Sequence, residues 1–113
     1  MSVKKTILVT SEFLGRGNDE LGAKLMGSFL RTLQTSEKKP DRIVFYNSGV
    51  KLLAEGSAVL DVLNDLNKAG VQLVACGTCV GFFKLDDKVA KERVSNMTEI
   101  VRILTEAGNV ITV

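Results

Sequence analysis

The hydrophobic pattern of this chain changes period repeatedly, and each change narrows the folds open to it. Short apolar runs stand at residues 6–11 (TILVTS), 42–46 (RIVFY), 71–75 (VQLVA) and 110–113 (VITV). A continuous run of that length is the pattern of a strand buried on both faces. Between the runs, apolar residues recur every three or four positions, the period of a helix with one buried stripe. Strands separated by helices of this length pair in parallel through right-handed crossovers. The expected fold is therefore α/β, a three-layer α/β/α sandwich formed by a single domain over residues 1–113.

Residues 11–20 (SEFLGRGNDE) read as a loop after the first strand, with Asn18 or Asp19 available as a helix N-cap. The helix that follows carries Leu21, Leu25, Met26, Phe29, Leu30 and Leu33 as its stripe. It ends before Ser36-Glu37-Lys38-Lys39-Pro40, because proline disfavours helix in the residue before it. Asn47-Ser48-Gly49 is the turn after the second strand, and residues 50–56 fit either a short helical turn or an extended lip over the sheet edge. Ser57 is the next expected N-cap; Val59, Leu60, Val62, Leu63, Leu66 and Ala69 line the second helix, which Gly70 closes. Residues 86–93 predict a short exposed helix leading into a short fourth strand near Arg93-Val94. Asn96-Met97-Thr98-Glu99 fits a capping box, in which Asn96 caps and Glu99 reaches back. Ile100, Val101, Ile103, Leu104 and Ala107 then form the face of the last helix, and Gly108 stops it before the closing strand.

Composition removes several function classes. At 113 residues the chain can bury a core without disulfide staples. Its net charge is only +2, and its basic residues pair up no further than Lys4-Lys5 and Lys38-Lys39, so there is no electrostatic case for nucleic acid. The N-terminus MSVKKTILVTSEF has no small-residue cleavage site and reads as a first strand, not a signal peptide. No apolar stretch approaches the roughly 18 residues of a membrane helix. These features point to the cytoplasm, where two nearby cysteines are more often metal-binding or catalytic than structural. A tetrahedral zinc site cannot be filled by two cysteines and no histidine, so neither a metal nor another cofactor is expected.

Both cysteines fall where the third strand must end, in Ala75-Cys76-Gly77-Thr78-Cys79. Chemistry in open α/β sheets collects outside the carboxyl ends of the strands. The thiolate is the nucleophile, and a C-x-x-C pair running into a helical turn lowers a thiol pKa. Cys76 and Cys79 are therefore the first candidates for catalysis, although a buried Cys76 directly after an apolar strand also fits a small core hydrophobe. Gly77 and Gly81 are expected to let the backbone turn tightly there. The same edge collects Ser11 and Glu12 from the first loop and Asn47, Ser48 and Gly49 from the second; a solvated loop and ordinary turn chemistry are the competing readings. Lys51 offers a positive charge to a thiolate, and Phe82 and Phe83 suit a core or a subunit interface.

Four segments carry a family resemblance: Leu21-Gly22-Ala23-Lys24-Leu25-Met26, FYNSGVKLL at residues 45–53, ACGTC at 75–79 and SNM at 95–97. In this order they closely resemble the DsrE-like domain of YedF proteins, described as sulfurtransferase-like proteins of selenium metabolism. The resemblance covers essentially the whole chain. It implies a DsrE/DsrF-like fold with a mostly parallel five-stranded sheet and a tendency to form homo-oligomers. In the wider family the cysteine after the third strand accepts a sulfane sulfur as a persulfide and passes it on, and Cys76 holds that position here. YedF proteins usually carry a TusA-like N-terminal domain with a Cys-Pro motif, whereas this chain starts directly at the DsrE-like strand. A separate carrier, such as a TusA-like protein, is thus the implied donor or acceptor of sulfur or selenium.

The mechanism so implied has the Cys76 thiolate attack the outer sulfur of a donor persulfide. Cys79 then either resolves the product to a Cys76–Cys79 disulfide and free sulfide or tunes its neighbour's pKa. The N–H groups of Gly77, Thr78 and Cys79 are candidates to stabilise the anionic sulfur, and Asn47 and Ser48 to donate hydrogen bonds to the incoming group. Two other classes compete. One is a non-catalytic binding or assembly subunit of a sulfur-relay complex. The other is a thioredoxin-like dithiol oxidoreductase, but there the pair opens a long helix and faces a cis-proline, whereas Pro40, the one proline here, precedes the second strand.

Overall fold

The apolar runs assemble into one sheet in a computed structural model that describes residues 4–113. Met1, Ser2 and Val3, the start of the N-terminal stretch weighed as a signal peptide, lie outside the described residues. The strands are β1 (Lys5–Val9), β2 (Arg42–Phe45), β3 (Gln72–Cys76), β4 (Val94–Ser95) and β5 (Asn109–Thr112). Their order across the sheet is β4-β3-β2-β1-β5, and every pairing is parallel. Ile7 stands beside Ile43 and Ile43 beside Leu73; Val9, Phe45 and Ala75 form the next row. Strand residues alternate between faces, so these rows share one face, while Leu8, Val44, Val74 and Cys76 share the other.

The helices are α1 (Asp19–Thr35), α2 (Leu60–Lys68), α3 (Gly77–Phe82) and α4 (Met97–Glu106). From β1 to β2 to β3 the chain steps in one direction, so right-handed crossovers put α1 and α2, which touch each other, on the same face. From β4 to β5 the chain returns across the whole sheet, and the same handedness puts α4 on the opposite face, where it packs against β3. Three layers result. The core between them holds Met26 and Leu30 of α1, Leu63 and Leu66 of α2, Ile100 and Ile103 of α4 and the central strand residues, all buried. Among the described residues no helix is long and apolar enough to cross a membrane.

Local details depart from the sequence expectation in several places. β5, expected to be buried on both faces, is exposed along its length because it is an edge strand, and Val101 and Ala69, expected on the apolar faces of their helices, are exposed. The buried line of α1 is Gly22, Met26 and Leu30, while Leu21 and Leu25 are 54% and 42% exposed. Gly22 sets this rotation. The Leu14 N–H donates to the Gly22 carbonyl at 3.0 Å, and a Cβ on Gly22 would come within 2.7 Å of the Phe13 Cβ. Ser57 does not cap α2 directly; its Oγ accepts the Val59 N–H at 3.3 Å in the turn before the helix starts. Residues 86–93 form turns and a short 3-10 segment, Lys91–Arg93, in place of an α-helix, because Val89 is the sole fully buried anchor in a charged stretch and offers no stripe. Half of the capping box is present: Asn96 Oδ1 accepts the Glu99 N–H at 2.8 Å, but the Glu99 carboxylate pairs with Arg102 at 3.8 Å instead of reaching back. At the other cap, Asn18 Oδ1 accepts the Leu21 N–H at 2.9 Å, as expected.

Candidate functional site

Parallel strands deliver their carboxyl ends to a single edge, and at this edge β1, β2 and β3 hand over to three loops that touch. Two glycines allow the close approach. A Cβ on Gly49 would lie 2.8 Å from the Val9 carbonyl, so the 3-10 segment Asn47–Leu53 presses directly onto the end of β1. A Cβ on Gly77 would lie 2.6 Å from the Ser95 carbonyl, so only glycine lets α3 begin against β4. The requirement at Gly77 is close approach and not the tight turn expected from the sequence; neither Gly77 nor Gly81 has a positive φ, and Gly81 faces open space.

The two thiols sit at different depths. Cys76 ends β3 and is 1% exposed. Cys79, one turn into α3, is partly exposed and lines a cleft of about 250 Å³ with Asn47, Thr78, Phe82 and Phe83. Both thiols are free, and Cys76 lies close enough to Cys79 to raise its pKa. The Asn47 N–H donates to Cys79 Sγ at 3.0 Å. Asn47 reaches that position through a left-handed backbone, φ 53°, stabilised where its Oδ1 accepts the Ser48 N–H at 2.8 Å. Asparagine is among the few residues that tolerate this conformation, because its short polar side chain bonds the local backbone.

Behind Asn47 the loops are tied together by hydroxyls and one ion pair. Ser48 Oγ accepts the Glu12 N–H at 3.2 Å and donates to Ser11 Oγ at 3.4 Å; Ser11 Oγ in turn accepts the Phe13 N–H at 3.1 Å. The Glu12 carboxylate pairs with Lys51 Nζ at 3.5 Å, and the same ammonium lies 4.5 Å from the centre of the Phe83 ring. Phe82 stands edge-on to Phe83 at 5.2 Å and is 78% exposed. Phe82 is therefore no core residue; it is the outer wall of the cleft.

Burial pushes the Cys79 thiol above its ordinary pKa, and the adjacent Cys76 raises it further by hydrogen bond and by charge. The Asn47 N–H pulls the other way and is outweighed. At neutral pH Cys79 is therefore a protonated thiol with a ready-made hydrogen-bond donor for its anion.

Of the residues singled out in the sequence, Cys79, Asn47 and Thr78 line the cleft. Cys76, expected as the thiol that attacks the donor, is buried and does not line the cleft, so an incoming donor meets Cys79 first; Gly49 is the buried residue of the second loop, and Ser48 and Glu12 form the supporting network. Gly77 faces β4. The backbone N–H of Asn47 as partner of a thiol was not visible in the sequence, although an asparagine directly after a strand and before Ser-Gly is the signature that could have suggested it. A wider cleft of about 530 Å³ lies between Leu60 and Asn64 of α2 and residues 86–93. Its lining is mostly charged side chains and includes no cysteine, so the smaller cleft is the chemically competent one.

A small all-parallel α/β sandwich with a thiol pair at the carboxyl edge of its sheet is the class that fold and site define. Three solved structures share the architecture. A protein of unknown function from Methanobacterium thermoautotrophicum superposes with a TM-score of 0.71 at 23% identity, over 99% of this chain and 100% of its own. The ychN protein of E. coli gives a TM-score of 0.68 at 16% identity, over 99% and 100%. A conserved protein of unknown function from Bacteroides thetaiotaomicron gives 0.62 at 13%, over 97% and 95%. Identities this low establish the fold alone, and no curated protein matches the chain. The sequence itself settles the family: the profile of the DsrE/DsrF-like family matches residues 5–113, and the chain belongs to that family, which is associated with sulfur relay.

Proposed function

We propose that this chain is a sulfurtransferase-like sulfur-relay protein that carries a sulfane sulfur as a cysteine persulfide, received at Cys79 and held on Cys76. The observation that supports it best is a cleft-facing thiol three residues from a buried one that perturbs its pKa. Exposed persulfides are lost to other thiols, and rates of exchange depend on access; a buried second sulfur is a protected store.

In the first step the Cys79 sulfur attacks the outer sulfur of a donor R–S–SH. A Cys79 S–S bond forms, the donor S–S bond breaks, and RS⁻ leaves with the electron pair and takes up the proton that Cys79 loses. In the second, Cys76 attacks the outer sulfur of the Cys79 persulfide, its proton passes to the departing Cys79 sulfur, and the sulfane sulfur rests on Cys76. Attack on the inner sulfur gives a Cys76–Cys79 disulfide and releases hydrosulfide. The Asn47 N–H stabilises negative charge on Cys79 whenever that sulfur is the nucleophile or the leaving group. Thr78 and Asn47 line the path of the incoming group, the Gly77 and Thr78 N–H groups stand at the head of α3, and Ser48, Gly49 and Glu12 hold the second loop in place.

The reading carries with it a donor or acceptor protein such as a TusA-like carrier, a YedF-type affiliation within the family, self-association, and a reducing compartment such as the cytoplasm. Selenium can replace sulfur in the same steps. The exposed Phe82 beside the cleft favours a second reading, a binding or assembly subunit for which docking is the main task.

Intact mass spectrometry after incubation with a sulfane-sulfur donor tests the proposal. Wild type gains one sulfur, Cys79→Ser gains none at the same exposure, and Cys76→Ser gains sulfur but loses it on brief treatment with a competing thiol. A selenium donor in parallel reads the alternative cargo. No gain in any protein whose thiols still alkylate would overturn the carrier and favour docking.

A further inference from the structure

Lys51 reaches the rim of the thiol cleft from the 3-10 segment Asn47–Leu53. Its ammonium sits over the Phe83 ring at 4.5 Å, and Phe83 and Cys79 line the same cleft. The Phe83 N–H donates to the Cys79 carbonyl at 3.1 Å, so the ring carrying the ammonium stands one helical turn from the sulfur. The competing partner is the Glu12 carboxylate at 3.5 Å, a long single contact between side chains that are 29% (Glu12) and 42% (Lys51) exposed. A pair of that kind is weak, and lysine is a point charge on a flexible four-carbon stem, free to change partners.

The lining of the cleft contains no carboxylate; its side walls are Phe82 and Phe83, soft polarizable surfaces. Sulfane-sulfur donors divide by charge. Hydropolysulfide, thiosulfate and ionised persulfides are anions with diffuse charge on sulfur, whereas organic trisulfides are neutral. Building on the sulfur-relay reading, we propose that Lys51 selects anionic sulfane-sulfur donors for Cys79, and that Glu12 holds the ammonium aside until an anion displaces it. With hydropolysulfide the step is Cys79–SH plus HS–S⁻ giving Cys79–S–SH plus HS⁻. One S–S bond forms as another breaks, and the Cys79 proton leaves on the hydrosulfide. No external oxidant enters.

Charge selection is measured without reference to sulfur transfer by the rate ratio of Cys79 alkylation with iodoacetate, an anion, to that with neutral iodoacetamide, the adduct being located on Cys79 by tandem mass spectrometry. A single charge on the far side of one aromatic ring from the sulfur, within about 10 Å in a partly wet cleft, alters this ratio roughly fivefold. Lys51→Met is expected to lower the ratio by that amount, Lys51→Arg to keep it, and Glu12→Gln to raise it. Because each ratio is internal to one variant, losses of folded protein cancel. An unchanged ratio in Lys51→Met, or a fall in Glu12→Gln, would overturn the assignment. Uptake from thiosulfate and from a neutral trisulfide completes the test. A shifted ratio with no uptake from either supports anion selection and sinks the relay reading, while uptake with an unshifted ratio does the reverse.

Discussion

Replacing Asn47 tests whether one backbone angle governs one thiol. At φ 53° the Asn47 N–H points at Cys79 Sγ from 3.0 Å. Asn47→Ala loses the side-chain bond to the Ser48 N–H, worth about 1 kcal/mol, and adds about 1 kcal/mol for a left-handed alanine. The sum, about 2 kcal/mol, lowers Tm by about 8 °C in a chain of this size. Asn47→Gly loses the same bond and about 0.7 kcal/mol through the freer unfolded chain, so the two variants are nearly equal in stability. They differ in what the strain does. Alanine relaxes by rotating the peptide, which turns the N–H away from the sulfur; glycine has no reason to move. A hydrogen bond to an anion at a half-open site contributes about 1.4 kcal/mol, close to one pKa unit. Iodoacetamide kinetics at about pH 8 are therefore expected to slow about tenfold in Asn47→Ala and to stay within about twofold of wild type in Asn47→Gly. Equal slowing in both variants would refute the reasoning, because it would assign the effect to the side chain or to loop packing.

Three further outcomes follow from the geometry. Because burial raises the Cys79 pKa and the thiolate is the reactive form, its alkylation rate is expected to climb about tenfold per pH unit from neutrality and to level off only above the ordinary thiol range; a plateau near pH 7 would contradict the burial. By the same sign, the neutral thiol is the form the fold favours, so its contribution to stability is complete below the ordinary thiol pKa and is lost as pH rises through the raised one, a slope that Cys79→Ala should remove. Gly77→Ala places a Cβ 2.6 Å from the Ser95 carbonyl, and overpacking of that kind destabilises by about 1–3 kcal/mol in urea unfolding; a change below about 0.5 kcal/mol would mean that β4 yields freely.

The strand–helix alternation was legible because buried parallel strands and amphipathic helices each impose a period on the sequence, and β1, β2, β3 and β5 lie within a residue or two of the apolar runs, while the two-residue β4 has no run of its own. Asn18 and Asn96 were legible as caps because their short side chains satisfy specific N–H groups. The stripe of α1 was misplaced because Gly22, which fixes the helix rotation against Phe13, has no hydrophobicity to contribute to a pattern. The loop over residues 86–93 was misread because its helix-compatible charges concealed the lack of an apolar face. At the site, the sequence brought Cys76, Cys79 and Asn47 to one edge and offered a buried Cys76 as one reading, but it could not decide between a buried and a reactive Cys76. Which thiol faces the cleft depends on how α3 folds back over β3, and that is set by the contact of Gly77 with β4.

The brevity of β4 bears on time as well as on space. Its pairing consists of Ala75 with Val94 and Cys76 with Ser95, at the outer edge of the sheet. Short edge segments open in sub-global fluctuations far more often than a whole domain unfolds. The deeper sulfur therefore lies behind the least cooperative seam of the sheet, and a bulky reagent reaches it at the frequency with which that seam parts. Hydrogen exchange at the amides of β4 and the labelling rate of Cys76 should then share one clock.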